Sequence, residues 1–295
     1  MGKMKVRIFT ALDKGNRENN EDALVYCPNL CQAEWLHDGM DGYVPLESCG
    51  AIAVVADGMG GASAGEVASD IAIATVQKVC TPERAAAAVK GGDDTIKSLL
   101  AGPIKQADMA IQERMATDTE TQGMGTTIVL CWVVDGKAQI AWCGDSRCYC
   151  YNPAKGLLPL THDHSLVQEM IDKGELSVEE AFTHPDSNII TRGLGDFVVN
   201  IEPDIVAYPI RSGDTLLLCS DGLCGYCFDE DIEQIMDETQ TDTAGCCQGL
   251  MKLSLDVGGN DNIGIVAMSI IDDNQTSPSP LTKFQTIVRQ LKRVF

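Results

Sequence analysis

Four short acidic turns carry the chemistry open to this sequence. Asp57-Gly58-Met59-Gly60-Gly61, Gly144-Asp145-Ser146-Arg147, Ser220-Asp221-Gly222 and Gly258-Gly259-Asn260-Asp261-Asn262 each set an aspartate beside glycine or asparagine at one end of an apolar run. Any one of them alone reads as a turn with a solvated aspartate, because Asp tolerates turn backbone and bonds its own main chain. Four together read differently. Converging carboxylates repel one another unless divalent cations neutralise them, so a two-metal site of the kind that drives hydrolysis is the economical explanation. The glycines let backbone carbonyls approach a ligand closely, and a hard cation wants such oxygens.

Other chemistries fit less well. The glycines after Asp57 could suggest a phosphate loop, but the dinucleotide pattern needs a third glycine where Ser63 stands, and no Walker lysine follows. Cys224-Gly-Tyr-Cys227 has redox spacing outside any thioredoxin-like context and reads as an incidental pair. Cys148 and Cys150, two apart on a strand, share one face and read as core.

The turns need rigid elements to converge. Strand patterns lie at Val6–Leu12, Ala23–Tyr26, Ile52–Ala56, Thr127–Val134, Lys137–Trp142, Cys148–Tyr151, Leu216–Cys219 and Ile263–Ile270, with Asp135-Gly136 as a hairpin turn. Helical periodicity covers Ala64–Val79, where Val67, Ala68, Ile71, Ala74 and Thr75 form one apolar face, and recurs at Asp94–Met115, Ser165–Lys173, Asp229–Met236 and Thr243–Leu255. Many hairpin-joined strands with paired helices predict an α+β fold of antiparallel sheets covered by helices, rather than a doubly wound one. Residues 27–48 read as a surface insertion and 274–280, with Ser-Pro-Ser-Pro, as a linker.

With 295 residues, 44% of them hydrophobic, the chain can bury a sizeable core. Its longest apolar run, Ile128–Val134, is far below the ~18 residues of a membrane span. No apolar signal core follows Arg7, and 13 scattered cysteines suggest reduced thiols, so a cytoplasmic protein is expected. The formal charge of -21 repels nucleic acid and anionic lipid. Residues 274–295 reverse that sign, with Lys283, Arg289, Lys292 and Arg293 and no acid, leaving -25 on the rest.

Taken in order, Arg17-Glu-Asn-Asn20-Glu21-Asp22, Asp57-Gly58-Met59-Gly60-Gly61, Gly125-Thr126-Thr127, Gly144-Asp145-Ser146-Arg147, Leu160-Thr-His-Asp163-His164-Ser165, Ser220-Asp221-Gly222 and Gly259-Asn-Asp261-Asn262 resemble the protein phosphatase 2C family in its bacterial form. The resemblance runs from about Thr10 to Ile270. It implies a four-layer α-β-β-α sandwich with a dinuclear Mn2+ or Mg2+ centre at one end of two antiparallel sheets, and hydrolysis of phosphoserine and phosphothreonine in proteins, opposing a Ser/Thr kinase. By motif position, Asp57 bridges both metals, Gly58 offers its carbonyl to one, and Asp221 and Asp261 complete the other. Asp145 matches the ligand of a weaker third metal, Glu21 and Asp22 the acidic pair that orients metal-bound waters, and Arg17 the phosphate clamp, whose planar fork suits phosphate. An all-oxygen set with retained waters suits Mg or Mn rather than zinc.

The sequence departs from the eukaryotic pattern at Met59, which cannot donate the proton that a histidine there would; a metal-bound water is the candidate acid. Ala62 replaces a histidine common in bacterial relatives. His162, Asp163 and His164 look like a metal cluster by composition, but the family uses this stretch as a structural turn into a helix. Residues 165–192 correspond to the flap beside the cleft. The expected layout is a catalytic domain over 1–273, the linker, and a basic amphipathic helix over 281–295, in a monomer. That helix places Leu281, Phe284, Ile287, Val288, Leu291 and Val294 opposite its basic residues, and docking on the acidic body is favoured over membrane contact. A non-catalytic phosphoprotein-binding regulator on the same fold is disfavoured because the metal carboxylates are kept; hydrolysis of small phosphomonoesters is the other alternative.

Overall fold

Strands of two to ten residues, separated by turns rich in Gly, Asp and Asn, pair into two antiparallel sheets in a computed structural model that describes residues 4–60, 64–195, 197, 201–240 and 242–272. The strands are β1 (Met4–Asp13), β2 (Asp22–Cys27), β3 (Val44–Pro45), β4 (Ala51–Met59), β5 (Gly125–Thr126), β6 (Ile128–Val134), β7 (Lys137–Cys143), β8 (Arg147–Asn152), β9 (Gly156–Pro159), β10 (Leu194–Gly195), β11 (Asp204–Pro209), β12 (Thr215–Cys219) and β13 (Ile263–Asp272). One sheet runs β3-β1-β13-β12-β8-β9; the other runs β10-β5-β4-β6-β7-β11, with β2 also paired to β4. The helices are α1 (Ala64–Val79), α2 (Pro82–Gly91), α3 (Asp93–Thr117), α4 (Leu166–Asp172), α5 (Val178–Phe182), α6 (Asp221–Cys224), α7 (Asp229–Thr239) and α8 (Thr243–Asp256).

Three apolar layers hold four structural ones together. Alternate residues of β4 and β6 point opposite ways, as the two-residue period of a strand requires. Val54, Leu130 and Trp132 face α1 and α3, meeting Ala72, Val76, Leu100 and Ile104. Val55, Val129 and Cys131 face the other sheet, meeting Leu216, Leu218, Val266 and Met268. The outer side of that sheet, through Tyr149, Leu217 and Ile265, packs on Ile232, Met236 and Leu250 of α7 and α8. The four-layer α-β-β-α sandwich is therefore present. Cys148 and Cys150 lie between the sheets, and Cys224 and Cys227 are buried below α7 and α8.

The structure departs from the reading of the sequence at the first two helices, among other places. The buried face of α1 is Ala64, Ala68, Ala72 and Val76 with Ser69 and Ile73, while Ala74 is exposed and Val67 and Ile71 sit at its margin. Small residues seat the helix close on the sheet, and the larger Val67 and Ile71 fill the rim. Helix α2 was not expected because Glu83-Arg-Ala-Ala-Ala-Ala-Val carries little apolar periodicity; Pro82 in its first turn and Thr81, whose side chain accepts from the Arg84 amide, start it. The linker and helix expected over 274–295 lie outside the described residues, as do Ala62 and Ser63.

Candidate metal centre

The strand register brings the acidic turns to one end of the sandwich. Asp57 near the end of β4 pairs directly across from Asp22 at the start of β2, and β12 and β13 run antiparallel so that Ser220 and Asp221, after one, meet Asn262, before the other. Asp145 occupies the turn between β7 and β8, after Gly144 at φ +119. Gly58 leaves no room for a side chain: a Cβ there would stand 2.2 Å from the Gly65 carbonyl oxygen and 2.7 Å from that of Glu21. This close approach is what the Asp57-Gly58 pair requires of its second residue.

Hydrogen bonds fix the cluster from below and from the side. The Ser220 hydroxyl donates to Asp22 Oδ2 at 2.6 Å and accepts from the Gly264 amide at 2.9 Å. The Asp57 carbonyl accepts from the Thr127 amide at 2.8 Å and the Thr126 hydroxyl at 2.9 Å. Asn262 ties two loops together: its Oδ1 accepts from the Glu21 amide at 2.8 Å, and its Nδ2 donates to the Lys14 and Asn19 carbonyls at 3.0 and 2.9 Å. Arg17 stands at the rim, with Nη2 on Asp261 Oδ2 at 2.8 Å and Nε on the Asn260 carbonyl at 3.1 Å.

The electrostatics of the cluster are those of crowded carboxyl groups removed from water. Burial first, then the charges of Asp22, Asp221 and Asp145, holds Asp57 well above the ordinary carboxylate range. Asp145 is likewise held well above it by burial and by Asp221. Asp22 is pushed up to about 8, chiefly by burial, and Asp221 to about 6, by burial and then Asp261. Yet Asp22 Oδ1 and Asp145 Oδ1 are buried with no hydrogen-bond partner. An unpartnered buried carboxylate oxygen is costly and calls for an explanation, and a hard divalent cation, which takes oxygen ligands and keeps waters between them, supplies one. Among the described residues no three His, Cys, Asp or Glu side chains already enclose a single point as a mononuclear cage would. A pair of sites that keeps several waters on each cation does not need such a cage.

The expected residues do not all gather. Asp57, Asp22, Asp145, Asp221, Asp261, Gly58 and Arg17 share this end. Glu21 is present, but its carboxylate is turned to the Gly65 amide at the start of α1, where a helix N-terminus favours an acid. His162, Asp163 and His164 diverge: His162 Nε2 meets Asp172 at 2.8 Å, Asp163 takes Arg147 through Nε and Nη2, and His164 is buried. His164 Nδ1 accepts from the Gly144 amide at 3.1 Å, so its proton is on Nε2 and donates to Asp204 at 3.1 Å. The turn holding Asp145 thus rests on a neutral histidine. Sequence reading missed that support, and the roles of Ser220 and Asn262, although both stood inside motifs that had been singled out.

Three comparisons bear on this arrangement. A family model described as protein phosphatase 2C matches residues 36–248. The chain is 35% identical over 215 residues to the serine/threonine phosphatase stp of Listeria monocytogenes, covering 73% of this chain and 82% of that one. It is 32% identical over 227 residues to the serine/threonine protein phosphatase PstP of Mycobacterium tuberculosis, covering 77% of this chain, and it spans only 42% of that protein's length. The structure superposes with a TM-score of 0.72 and 29% identity on the catalytic domain of PstP in complex with 2 manganese ions, covering 91% of this chain and 100% of that one.

Proposed function

The chain belongs to the protein phosphatase 2C family, and from that premise we propose that it hydrolyses phosphoserine and phosphothreonine in proteins with two divalent cations, Mn2+ or Mg2+, held at the aspartate end of the sandwich. The observation that carries this reading is the cluster of carboxyl groups, Asp22 and Asp145 buried and Asp57 half-buried, raised by loss of water and by one another, with two oxygens left without a hydrogen-bond partner. Asp57, the Gly58 carbonyl, Asp221 and Asp261 would hold the two cations, and Asp145 would hold a weaker third. When bound, the cations supply a nucleophile from water at neutral pH and neutralise charge on the phosphoryl oxygens.

The chain's own residues do the rest. Ser220 fixes the Asp22 carboxylate, and through it the position of Asp57 across the strand pair. Asn262 locks the loop bearing Arg17 against the loop bearing Asp261. Arg17, half exposed at the rim, offers a planar guanidinium that can bind a phosphoryl group in two places. Substrates are phosphoproteins, and a Ser/Thr kinase supplies them. No described helix is long and apolar enough to cross a membrane.

Release of phosphate from a phosphothreonine peptide tests the proposal. Activity should require added Mn2+ or Mg2+ and vanish in EDTA; full activity in EDTA would overturn it. Arg17→Ala should raise KM by about tenfold with a smaller change in kcat, because a phosphate clamp holds ground state and transition state alike. Its Asp261 ion pair is exposed enough that melting temperature should scarcely move. Unchanged KM with lost turnover would make Arg17 part of the chemistry instead.

A further inference from the structure

At the pole of the sandwich opposite the aspartates, a groove of about 380 Å³ opens between the two sheets and α2. Its walls come from distant parts of the chain: Met4 of β1, Leu46, Val89 of α2, Val133 and Val134 of β6, and Ile210. Met4, Leu46 and Val89 are only partly buried, and Glu47 and Asp135 stand exposed at the rim. The nearby Lys137 is already paired with Asp93 at 3.2 Å, so the rim keeps its negative sign.

We propose that this groove is the docking site of the chain's own segment 281–295, with the apolar residues Leu281, Phe284, Ile287 and Leu291 against its walls and Lys283 and Arg289 beside Glu47 and Asp135. Three observations support it. The last described residue, Asp272, pairs with Met4, which is itself part of the wall, so the chain leaves the domain at the groove. If extended, residues 273–280 would span at most ~25 Å, which sets the start of segment 281–295 nearer the groove than the metal end, ~33 Å away along the ten residues of β13. The segment 274–295 carries four basic residues and no acid, and it faces a body of charge -25. Tethering at the groove's edge gives a high effective concentration that no free partner matches. Seated there, the segment bridges α2, the hairpin at Asp135-Gly136 and the edge strand β3.

Hydrogen exchange read by mass spectrometry on the full chain tests this. Phe284→Asp should speed exchange of the amides in residues 46–50 and 134–136 by about tenfold or more, leaving phosphopeptide hydrolysis unchanged, because the tail is outside the catalytic end. Glu47→Lys with Asp135→Lys should cause the same loss, and adding Lys283→Glu and Arg289→Glu to that pair should restore protection. Equal exchange with and without Phe284→Asp would overturn the proposal. So would a loss on Phe284→Asp accompanied by sedimentation as a smaller species, which would put a second copy in the groove. Recruitment of the parent chain to phosphatidylglycerol vesicles with unchanged groove exchange would also overturn it, assigning the segment to the membrane.

Discussion

Asp57→Asn is expected to lower turnover on a phosphothreonine peptide by ~10³-fold or more, since it would remove a carboxylate proposed to hold the cations, whose stabilisation of the transition state would be several kcal/mol. The same change is expected to raise the melting temperature of the metal-free protein. Asp57 is half-buried between Asp22 and Asp221 and is held well above the ordinary carboxylate range by loss of water around it and by both neighbours. Without cations its ionised form is a liability, and asparagine keeps the shape while removing the charge. Opposite signs in the two measurements separate a ligand from a structural carboxylate. A variant that loses activity and also melts earlier without metal would place Asp57 in the scaffold.

Mn2+ is expected to raise the melting temperature more at about pH 8 than at about pH 5, by several degrees at saturating metal. Asp221, raised to about 6, and Asp22, raised to about 8, both hold protons in the folded state at pH values where the unfolded chain has released them. The folded protein then binds more protons than the unfolded one, so the stability of the metal-free form falls as pH rises from about 4 towards 8. Cations compete with those protons and recover the loss where it is greatest. Differential scanning fluorimetry at both pH values, with Mn2+ or with EDTA, reads the difference directly. An equal shift at the two pH values would mean that Asp221 does not hold the metal and that Asp22 does not face its waters.

Much of this was legible from residue types. Asp57-Gly58, Asp145, Ser220-Asp221 and Asp261-Asn262 were visible because each interrupts an apolar strand pattern with an acid, and strands that end in acids at one pole form a cluster once they pair. The layers were legible from the continuous apolar run of β6, buried on both faces between α3 and the second sheet. The supports were harder to read. Ser220 under Asp22 and Asn262 between two loops act across 198 and 241 residues of chain, and a serine or asparagine carries no periodicity that announces a partner so far away. The edge strand β11 escaped for a related reason: Pro203 precedes it, Pro209 ends it, and its half-exposed residues alternate weakly. His164 looked like a ligand by type, and only its burial against Gly144 and Asp204 shows that it carries the turn of Asp145.

Isothermal titration of Mn2+ into chelator-treated protein at about pH 8 tests the central claim, that the clustered aspartates are a divalent-cation site, without relying on any substrate. The account predicts at least two ions per parent chain, loss of that pair with Asp57→Asn, and with Asp145→Ala two retained ions but no weaker third. A parent chain that takes up no Mn2+, or an Asp57→Asn variant that takes up as many ions as the parent, would contradict it.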